Sequence, residues 1–213
     1  MKYTINKSFK TGVTRSERVM HVAEAFGIGL DDKEFTIFDG LELDINPGDM
    51  VYINGQSGSG KSVLLRELTH AMIDNGLTVA NIDAVEYDND TPIIDQLGEN
   101  MTEATTLLAM AGISDAYLYI RSPKELSDGQ RYRFRLALLL EQDCDVWIAD
   151  EFGAVLDRIT AKVVAYNLQK VARKAGKTVM VATTHTDLID ELGPDLLVKK
   201  RFHDRVEVER PNE

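Results

Sequence analysis

The sequence predicts an α/β fold with a mostly parallel sheet, and two observations lead to this prediction. Short apolar segments typical of buried strands alternate with helical segments along most of the 213 residues. Parallel sheets show this alternation because helices usually connect their strands and cover both faces. In addition, residues 55–62 form a glycine-rich loop between an apolar strand (50–54) and a helical segment (63–68).

The glycine-rich loop reads Gly-Gln-Ser-Gly-Ser-Gly-Lys-Ser and matches the G-x-x-x-x-G-K-S phosphate-binding loop, or P-loop. Its glycines let consecutive N–H groups turn inward around phosphate oxygens, and the next helix adds its positive end. Lys61 supplies a charge for the β- and γ-phosphates, and the Ser62 hydroxyl suits Mg²⁺. The alternative, a turn that binds nothing, explains neither the lysine nor the flanking segments. The nucleotide contacts predicted here are Gly55, Ser57, Gly58, Ser59, Gly60, Lys61, Ser62 and Val63.

The remaining elements follow in chain order. The first 20 residues are polar and are expected to lie across the surface, while 36–45 alternates as a half-buried antiparallel strand does. Core strands are predicted at 77–83, 145–150 and 178–182, and helices at 130–141 and 159–175. Residues 197–209 are expected to form a terminal hairpin around 203–204. We therefore predict one domain over 1–213, with an antiparallel β part at about 20–50 and a helical subdomain at about 97–130.

Composition limits the function classes. Hydrophobic residues make up 44% of the chain and charged residues 28%, as in ordinary soluble globular proteins. A net charge of -11 disfavours a large nucleic-acid surface, although a local basic patch is not excluded. The single cysteine allows no intrachain disulfide, which suits a reducing compartment. No apolar run approaches the ~18 residues of a membrane span. We expect a cytoplasmic chain that does not insert into a membrane by itself.

Two carboxylates follow the predicted strand at 145–150. On a strand beside the P-loop, Asp150 is placed to hold Mg²⁺ through its water shell. Glu151 is then placed to act as the general base that activates water. The alternative is a helix N-cap followed by a first-turn acid, which is a common use of Asp-Glu after a strand. The pair by itself does not decide between these two interpretations.

Residues 126–130 read Leu-Ser-Asp-Gly-Gln and resemble the signature of the ATP-binding cassette (ABC) superfamily, usually Leu-Ser-Gly-Gly-Gln. The signature opens a helix whose N-terminus is an anion site. Simple capping of that helix is the alternative. The order of P-loop, signature and Asp-Glu pair is similar to the family's. The resemblance implies further roles, which are γ-phosphate sensing by His185, metal ligation by Gln96, a D-loop ending at Asp157, adenine stacking on Phe26, and contacts of Ser127, Gly129 and Gln130 with a partner's ATP.

The resemblance also implies a RecA-like core and Mg²⁺-dependent hydrolysis of ATP to ADP. A chain with one P-loop and one signature needs a second copy to complete a site, so an ATP-driven homodimer is expected. The amino-acid sequences of residues 16–19, 25–28 and 62–68 are similar to those of soluble ABC-type ATPases fused to a predicted acetyltransferase. A protein partner is expected, but the sequence does not identify it. Two alternatives stay open: the energising subunit of a membrane transporter, and a nucleotide-gated clamp on nucleic acid.

Overall fold

The computed structural model describes residues 1–201 and 206–211. The chain divides into two units, one spanning Lys2–Leu43 and one beginning at Asp44 and including Met1. In the first unit, strands β1 (Lys2–Thr11) and β2 (Lys33–Asp44) form a small antiparallel sheet. Helix α1 (Glu17–Phe26) lies between them in sequence.

Most of the first 20 residues are exposed, as expected, but they form strand β1 and the start of helix α1, which the sequence did not predict. Tyr3 and Ile5 are buried on alternate positions of β1, and Ser16 begins α1 by accepting a hydrogen bond from the N–H of Val19 at 3.3 Å. Two buried side chains among many polar ones make too short a pattern to predict a strand, because only the pairing with β2 completes it.

The second unit contains a six-stranded sheet in the order β4-β5-β6-β3-β7-β8. Strands β3 to β7 run parallel, and β8 pairs antiparallel with β7. The mostly parallel sheet is therefore confirmed. The two strands of the predicted terminal hairpin are confirmed by the antiparallel β7–β8 pair, while the predicted turn around 203–204 falls outside the described residues. The strands are β3 (Met50–Gly55), β4 (Val79–Asn81), β5 (Val146–Ala149), β6 (Thr178–Thr183), β7 (Leu196–Lys200) and β8 (Val206–Glu209).

Strand β4 is shorter than the predicted segment 77–83. After Asn81 the chain enters a 3₁₀ turn, Ile82–Ala84, whose first N–H groups need acceptors. The Asn81 side chain accepts from the N–H of Asp83 at 2.9 Å and so ends the strand. An apolar run of this length does not by itself show where pairing stops.

The longest helix begins and ends at residues with recognisable caps. Asp157 begins the longest helix, and Gly176 ends it in the left-handed conformation with φ of 66°. Within the described residues, no helix has both the length and the apolar character needed to cross a bilayer. The helices of this unit are α2 (Lys61–Asp74), α3 (Met101–Met110), α4 (Ala116–Tyr119), α5 (Asp128–Glu141), α6 (Arg158–Ala175) and α7 (Ile189–Leu192).

One hydrophobic core joins the sheet to the predicted helical subdomain. Tyr52 and Trp147 on the sheet belong to the same buried cluster as Leu108 on α3, Phe134 on α5 and Leu168 on α6. Burying large apolar side chains is the main favourable contribution to folding. The core therefore fixes α5 against the sheet, and with it the position of the signature segment.

Candidate functional site

The P-loop, the Asp150–Glu151 pair and His185 follow strands that end at one edge of the large sheet. Parallel strands β3, β5 and β6 end there, and each is followed by a loop with polar side chains. The expectation that Asp150 follows a strand beside the P-loop strand is wrong, because β6 lies between β3 and β5. The loop after β6, with His185, consequently lies between the P-loop and the Asp150–Glu151 pair. Ligands of open α/β sheets bind at this edge.

The P-loop leaves the N-terminus of α2 without a cap from its own side chains. The N-cap residue is Gly60, which has φ of 100° and makes no side-chain hydrogen bond. Gly58 also has a positive φ, of 74°. Gly55 is required for a different reason, since a Cβ atom there would lie 1.9 Å from the carbonyl oxygen of Lys200. The loop thus depends on glycines for backbone conformation and close packing.

Lys61 is a buried cation at the base of this loop, with 8% of its surface exposed. Its Nζ donates to the carbonyl oxygens of Gly55 at 2.8 Å and Gln56 at 2.9 Å. Burial lowers the pKa of the ammonium, and the carboxylates of Asp150 and Glu151 partly oppose that shift. Because an ammonium has three donors, one N–H is left for a further acceptor.

The other P-loop residues differ in exposure. The Ser59 hydroxyl is buried, and the described residues provide it with no hydrogen-bond partner. Ser57 and Ser62 are exposed, and Val63 is half-buried. A buried hydroxyl without a partner is costly, so this loop is incomplete without a ligand. Ser62 is free to contribute its oxygen to a hard cation.

The Asp150–Glu151 pair does not cap a helix. Asp150 accepts from the N–H of Glu151 at 2.9 Å, and the residues that follow form turns until α6 begins at Arg158. Glu151 is exposed and has φ of 46°, and among the described residues it alone has a positive φ without being glycine. A non-glycine residue in this region is strained by sterics, and such strain is concentrated at functional sites. The structure therefore excludes the N-cap interpretation that the sequence had left open.

His185 is held through both its backbone and its ring. Its carbonyl oxygen accepts from the Tyr52 hydroxyl and from Asn54 Nδ2 at 2.8 Å. Its Nδ1 lies 2.8 Å from Nη1 of Arg158, whereas its Nε2 is buried and has no partner among the described residues. Burial raises the pKa of Tyr52 to about 12, so its hydroxyl stays a donor. The ring therefore has one nitrogen engaged and one available.

The signature segment satisfies its own helix terminus. Ser127 Oγ accepts from the N–H of Gln130 at 3.3 Å, and Gln130 Oε1 accepts from the N–H of Ser127 at 2.9 Å. This is a reciprocal capping box. At Gly129, a Cβ atom would lie 3.2 Å from the carbonyl oxygen of Val155, in the loop between β5 and α6. Asp128 points to solvent, with 84% of its side chain exposed, and pairs with Arg131 at 3.3 Å.

Three predicted site residues have other contacts. The Gln96 side chain bonds the N–H and carbonyl of Asp88, each at 2.8 Å, and the carbonyl of Thr91 at 2.6 Å. Asp157 caps α6 by accepting from two N–H groups of its first turn. Phe26 ends α1 in the smaller unit and is 75% exposed. Their roles toward a nucleotide therefore stay predictions.

The described residues hold no group of three or more His, Cys, Asp or Glu that could bind a metal alone. Magnesium does not need such a group, because it keeps several waters and takes one or two protein oxygens beside substrate phosphates. The Ser62 hydroxyl and the half-buried Asp150 carboxylate are oxygens of this kind. The donor set therefore fits Mg²⁺ bound together with a phosphate ligand.

Sequence reasoning missed three residues that hold His185. Asn54 interrupts an otherwise apolar strand, so its polarity was a usable signal. Tyr52 resembles any buried aromatic residue, because its hydroxyl partner is distant in sequence. Arg158 gave no signal, since a charged residue at the start of a helix is ordinary.

The chain is similar to known proteins both in sequence and in fold. A family model described as ABC transporter matches residues 38–91. The aliphatic sulfonates import ATP-binding protein SsuB 2 of Rhodococcus jostii is 31% identical over 186 residues, covering 81% of this chain and 75% of that protein. The cytochrome c biogenesis ATP-binding export protein CcmA of Nitrosomonas europaea is 28% identical over 183 residues, covering 73% and 84%. A dimeric structure of a bacterial ABC transporter cassette aligns with a TM-score of 0.67 at 18% identity, covering 97% and 98%.

Proposed function

The chain belongs to the ABC transporter ATPase superfamily, and from this premise we propose that it is the ATP-hydrolysing subunit of a membrane transporter. ATP-binding domains of this superfamily are ATPases, so the chain is an ATP hydrolase. The observation that carries the proposal is the 31% identity to an import ATP-binding protein over 81% of this chain. It favours the transporter alternative over the soluble, acetyltransferase-linked type. The only support for that type is the sequence similarity of a few short segments.

ATP binding in this proposal uses the incomplete P-loop. The β- and γ-phosphates accept hydrogen bonds from the backbone N–H groups of Gly58 to Ser62 and from the remaining donor of Lys61. A phosphate also provides an anionic partner for the buried Lys61 ammonium, which otherwise bonds only carbonyl oxygens of the described residues. Adenine stacking on the exposed Phe26 stays a prediction from the family resemblance.

Magnesium is held beside the phosphates by the Ser62 hydroxyl and, through water, by Asp150. The ion neutralises charge on the phosphates when bound. Gln96 is the further proposed ligand. Its Nε2 bonds the carbonyls of Asp88 and Thr91, and its Oε1, which among the described residues accepts only from the N–H of Asp88, would be the atom offered to the metal.

Hydrolysis is then an in-line attack by water on the γ-phosphorus. Glu151 accepts a proton from the water as the oxygen–phosphorus bond forms, and the bond from the γ-phosphorus to its bridging oxygen breaks to release ADP. His185 donates to a γ-phosphate oxygen. The protein positions the groups and neutralises charge, and it forms no covalent bond with the substrate.

The complete site in this proposal is shared between two copies of the chain. Ser127, Gly129 and Gln130 at the start of α5 contact the γ-phosphate of ATP held by the partner's P-loop, and the D-loop ending at Asp157 lies beside it. A two-fold axis generates two such sites. Two chains with a net charge of -11 repel each other, so ATP is required to hold the pair together.

A second candidate function is an ATPase that works without a membrane subunit. Two observations favour it. The Gln96 amide is engaged with its own loop, and only a short helical stretch separates it from the signature. The family resemblance implies that this region docks the membrane subunit in transporters, and a short region whose glutamine bonds its own loop would offer little surface for docking.

Cell fractionation separates the two candidates. We expect the chain carrying Glu151→Gln, expressed in its own cells, to sediment with the membranes after a salt wash, since trapped ATP keeps the transporter assembled. Lys61→Ala is the matched control, because it cannot be trapped by ATP. Recovery of both variants entirely in the supernatant would contradict the transporter proposal and support the second candidate.

A further inference from the structure

We propose that Arg158 is a positioning residue that sets the tautomer of His185. It is the first residue of α6, and its guanidinium reaches the loop after β6. The proposal goes beyond the roles assigned above, in which the arginine had none. The identity of the group that His185 binds rests on the proposed function. The tautomer of His185 does not depend on that function.

The direction of the hydrogen bond between the two side chains is decided by chemistry. Arg158 Nη1 lies 2.8 Å from His185 Nδ1. A guanidinium has only donors and is always charged in proteins, so Nδ1 must be the acceptor. A neutral imidazole with an unprotonated Nδ1 carries its hydrogen on Nε2. His185 therefore presents an N–H donor at Nε2.

The arginine is itself oriented from two sides. Asp157 accepts from the N–H groups of Ile159 and Thr160, which fixes the first turn of α6. The Asp187 carboxylate pairs with Nε of Arg158 and leaves Nη1 directed at the ring. Because Asp187 follows His185 by two residues, the pair ties the loop after β6 to the start of α6.

The backbone of His185 is held independently of Arg158. The His185 N–H donates to Thr183 Oγ1 at 3.2 Å, and the Thr183 hydroxyl donates to the carbonyl of Phe152 at 2.9 Å. Tyr52 and Asn54 hold the His185 carbonyl. Loss of the guanidinium is therefore expected to free the ring without releasing the loop.

The resulting donor has no acceptor among the residues that the structure describes. Nε2 is buried, and the described residues offer it no partner. A buried N–H without an acceptor is unfavourable, so the arrangement is completed by a ligand oxygen at this edge of the sheet. In the proposed function that oxygen belongs to the γ-phosphate. The opposite tautomer has an unprotonated Nε2, which cannot donate a hydrogen bond to this oxygen.

Nitrogen-15 NMR of nucleotide-free protein tests the tautomer directly. The chain has four histidines, and the signals of His185 are identified by their loss in His185→Gln. We expect wild type and Arg158→Lys to show an unprotonated Nδ1 and a protonated Nε2. Arg158→Met, which keeps a long side chain but has no donor, is expected to shift the ring toward a mixture of tautomers.

Steady-state kinetics then tests the consequence. Arg158→Met should lower kcat about tenfold, the value of one hydrogen bond to a charged group, with little change in the KM for ATP. Arg158→Lys should restore most of the loss. In a His185→Gln background, Arg158→Met should cause no further loss, because the two residues act as one unit.

Lys162→Met is the matched control, since it removes a neighbouring ion pair between α6 and Glu191 of α7. An equal loss of kcat in this control, or an unchanged tautomer in Arg158→Met, would overturn the inference. Wild-type protein that hydrolyses no ATP would instead overturn the proposed function, while the NMR comparison would still decide the role of Arg158.

Discussion

Two helices of this chain begin at glycine-containing turns, yet only one of them satisfies its own N-terminus. Helix α5 is closed by the reciprocal hydrogen bonds of Ser127 and Gln130. Helix α2 begins at Gly60, which offers no side chain to its free N–H groups. The first four N–H groups of a helix need acceptors from a cap, water or a ligand. The difference shows that α2 is built to bind something, whereas α5 is stable without a ligand.

The charges at the two termini lead to the same conclusion. The α2 terminus adds the buried Lys61 ammonium and the unpartnered Ser59 hydroxyl to its open N–H groups. At α5 the first turn carries Asp128, which lies in solvent and pairs with Arg131. The structure of one chain therefore supports our proposal of a phosphate site at α2. The role of α5 toward a nucleotide becomes visible only when a second copy is present.

The largest effect is expected for Glu151→Gln. This variant should trap ATP between the α2 terminus of one copy and the α5 terminus of the other. The amide cannot accept a proton from water, so turnover should fall by a factor of about 100 or more while ATP stays bound. Light scattering with Mg-ATP should then report twice the chain mass of 23.8 kDa, and mostly the single mass with ADP.

Asp190→Asn, which alters an exposed acid on α7, is the control and should keep wild-type turnover. A Glu151→Gln protein that stays monomeric with Mg-ATP would leave the α5 terminus as a helix cap and nothing more. Mixing Lys61→Ala with Ser127→Arg sharpens the same point, because a mixed dimer keeps one intact site and should regain part of the activity that each variant lacks.

Lys61→Ala should have the next largest effect, because it removes the cation from the open terminus. A hydrogen bond to a charged group contributes about 1.5–3 kcal/mol, so ATP affinity should fall roughly 10- to 100-fold. Calorimetric titration measures this. Lys124→Ala removes an exposed lysine paired with Asp90 and should bind ATP as wild type does. Equal affinities for Lys61→Ala and wild type would refute the P-loop assignment.

The smallest effect is a difference in stability between two serines. Ser127→Ala removes a cap and should lower the free energy of unfolding by about 1 kcal/mol. Ser62→Ala should lower it by less than about 0.5 kcal/mol, since Ser62 is exposed and its hydroxyl has no partner among the described residues. Urea denaturation without nucleotide compares them. Equal losses would remove the distinction between a capped and an open terminus.

Local sequence patterns predicted much of the fold. The six-residue strand before the P-loop, the helix after it and the long helix closed by Gly176 all appear close to their expected bounds. These elements have strong local signals, such as glycines, caps and continuous apolar runs. The first strand and the end of β4 were not predicted, because pairing with distant residues determines both.

The candidate site was predictable in its residue types and less so in its arrangement. Glycine spacing and a following lysine have one common structural use, so the P-loop was identified from the chain alone. The contacts of Gln96 with Asp88 and Thr91 were not, since several loop conformations suit the same residues. The cap formed by Asp157 was not predicted either, because the family resemblance assigned this residue only to the D-loop.

The sequence alone thus determined the phosphate loop, most of the alternation of strands and helices from β3 onward and the acids after β5, because each depends on neighbours along the chain. The tertiary structure decided that β6 separates β3 from β5 and that Glu151 takes a left-handed conformation. It also decided that Arg158 meets His185. Sheet order and side-chain pairing arise from packing between segments far apart in sequence, and no local pattern encodes which of those segments become neighbours.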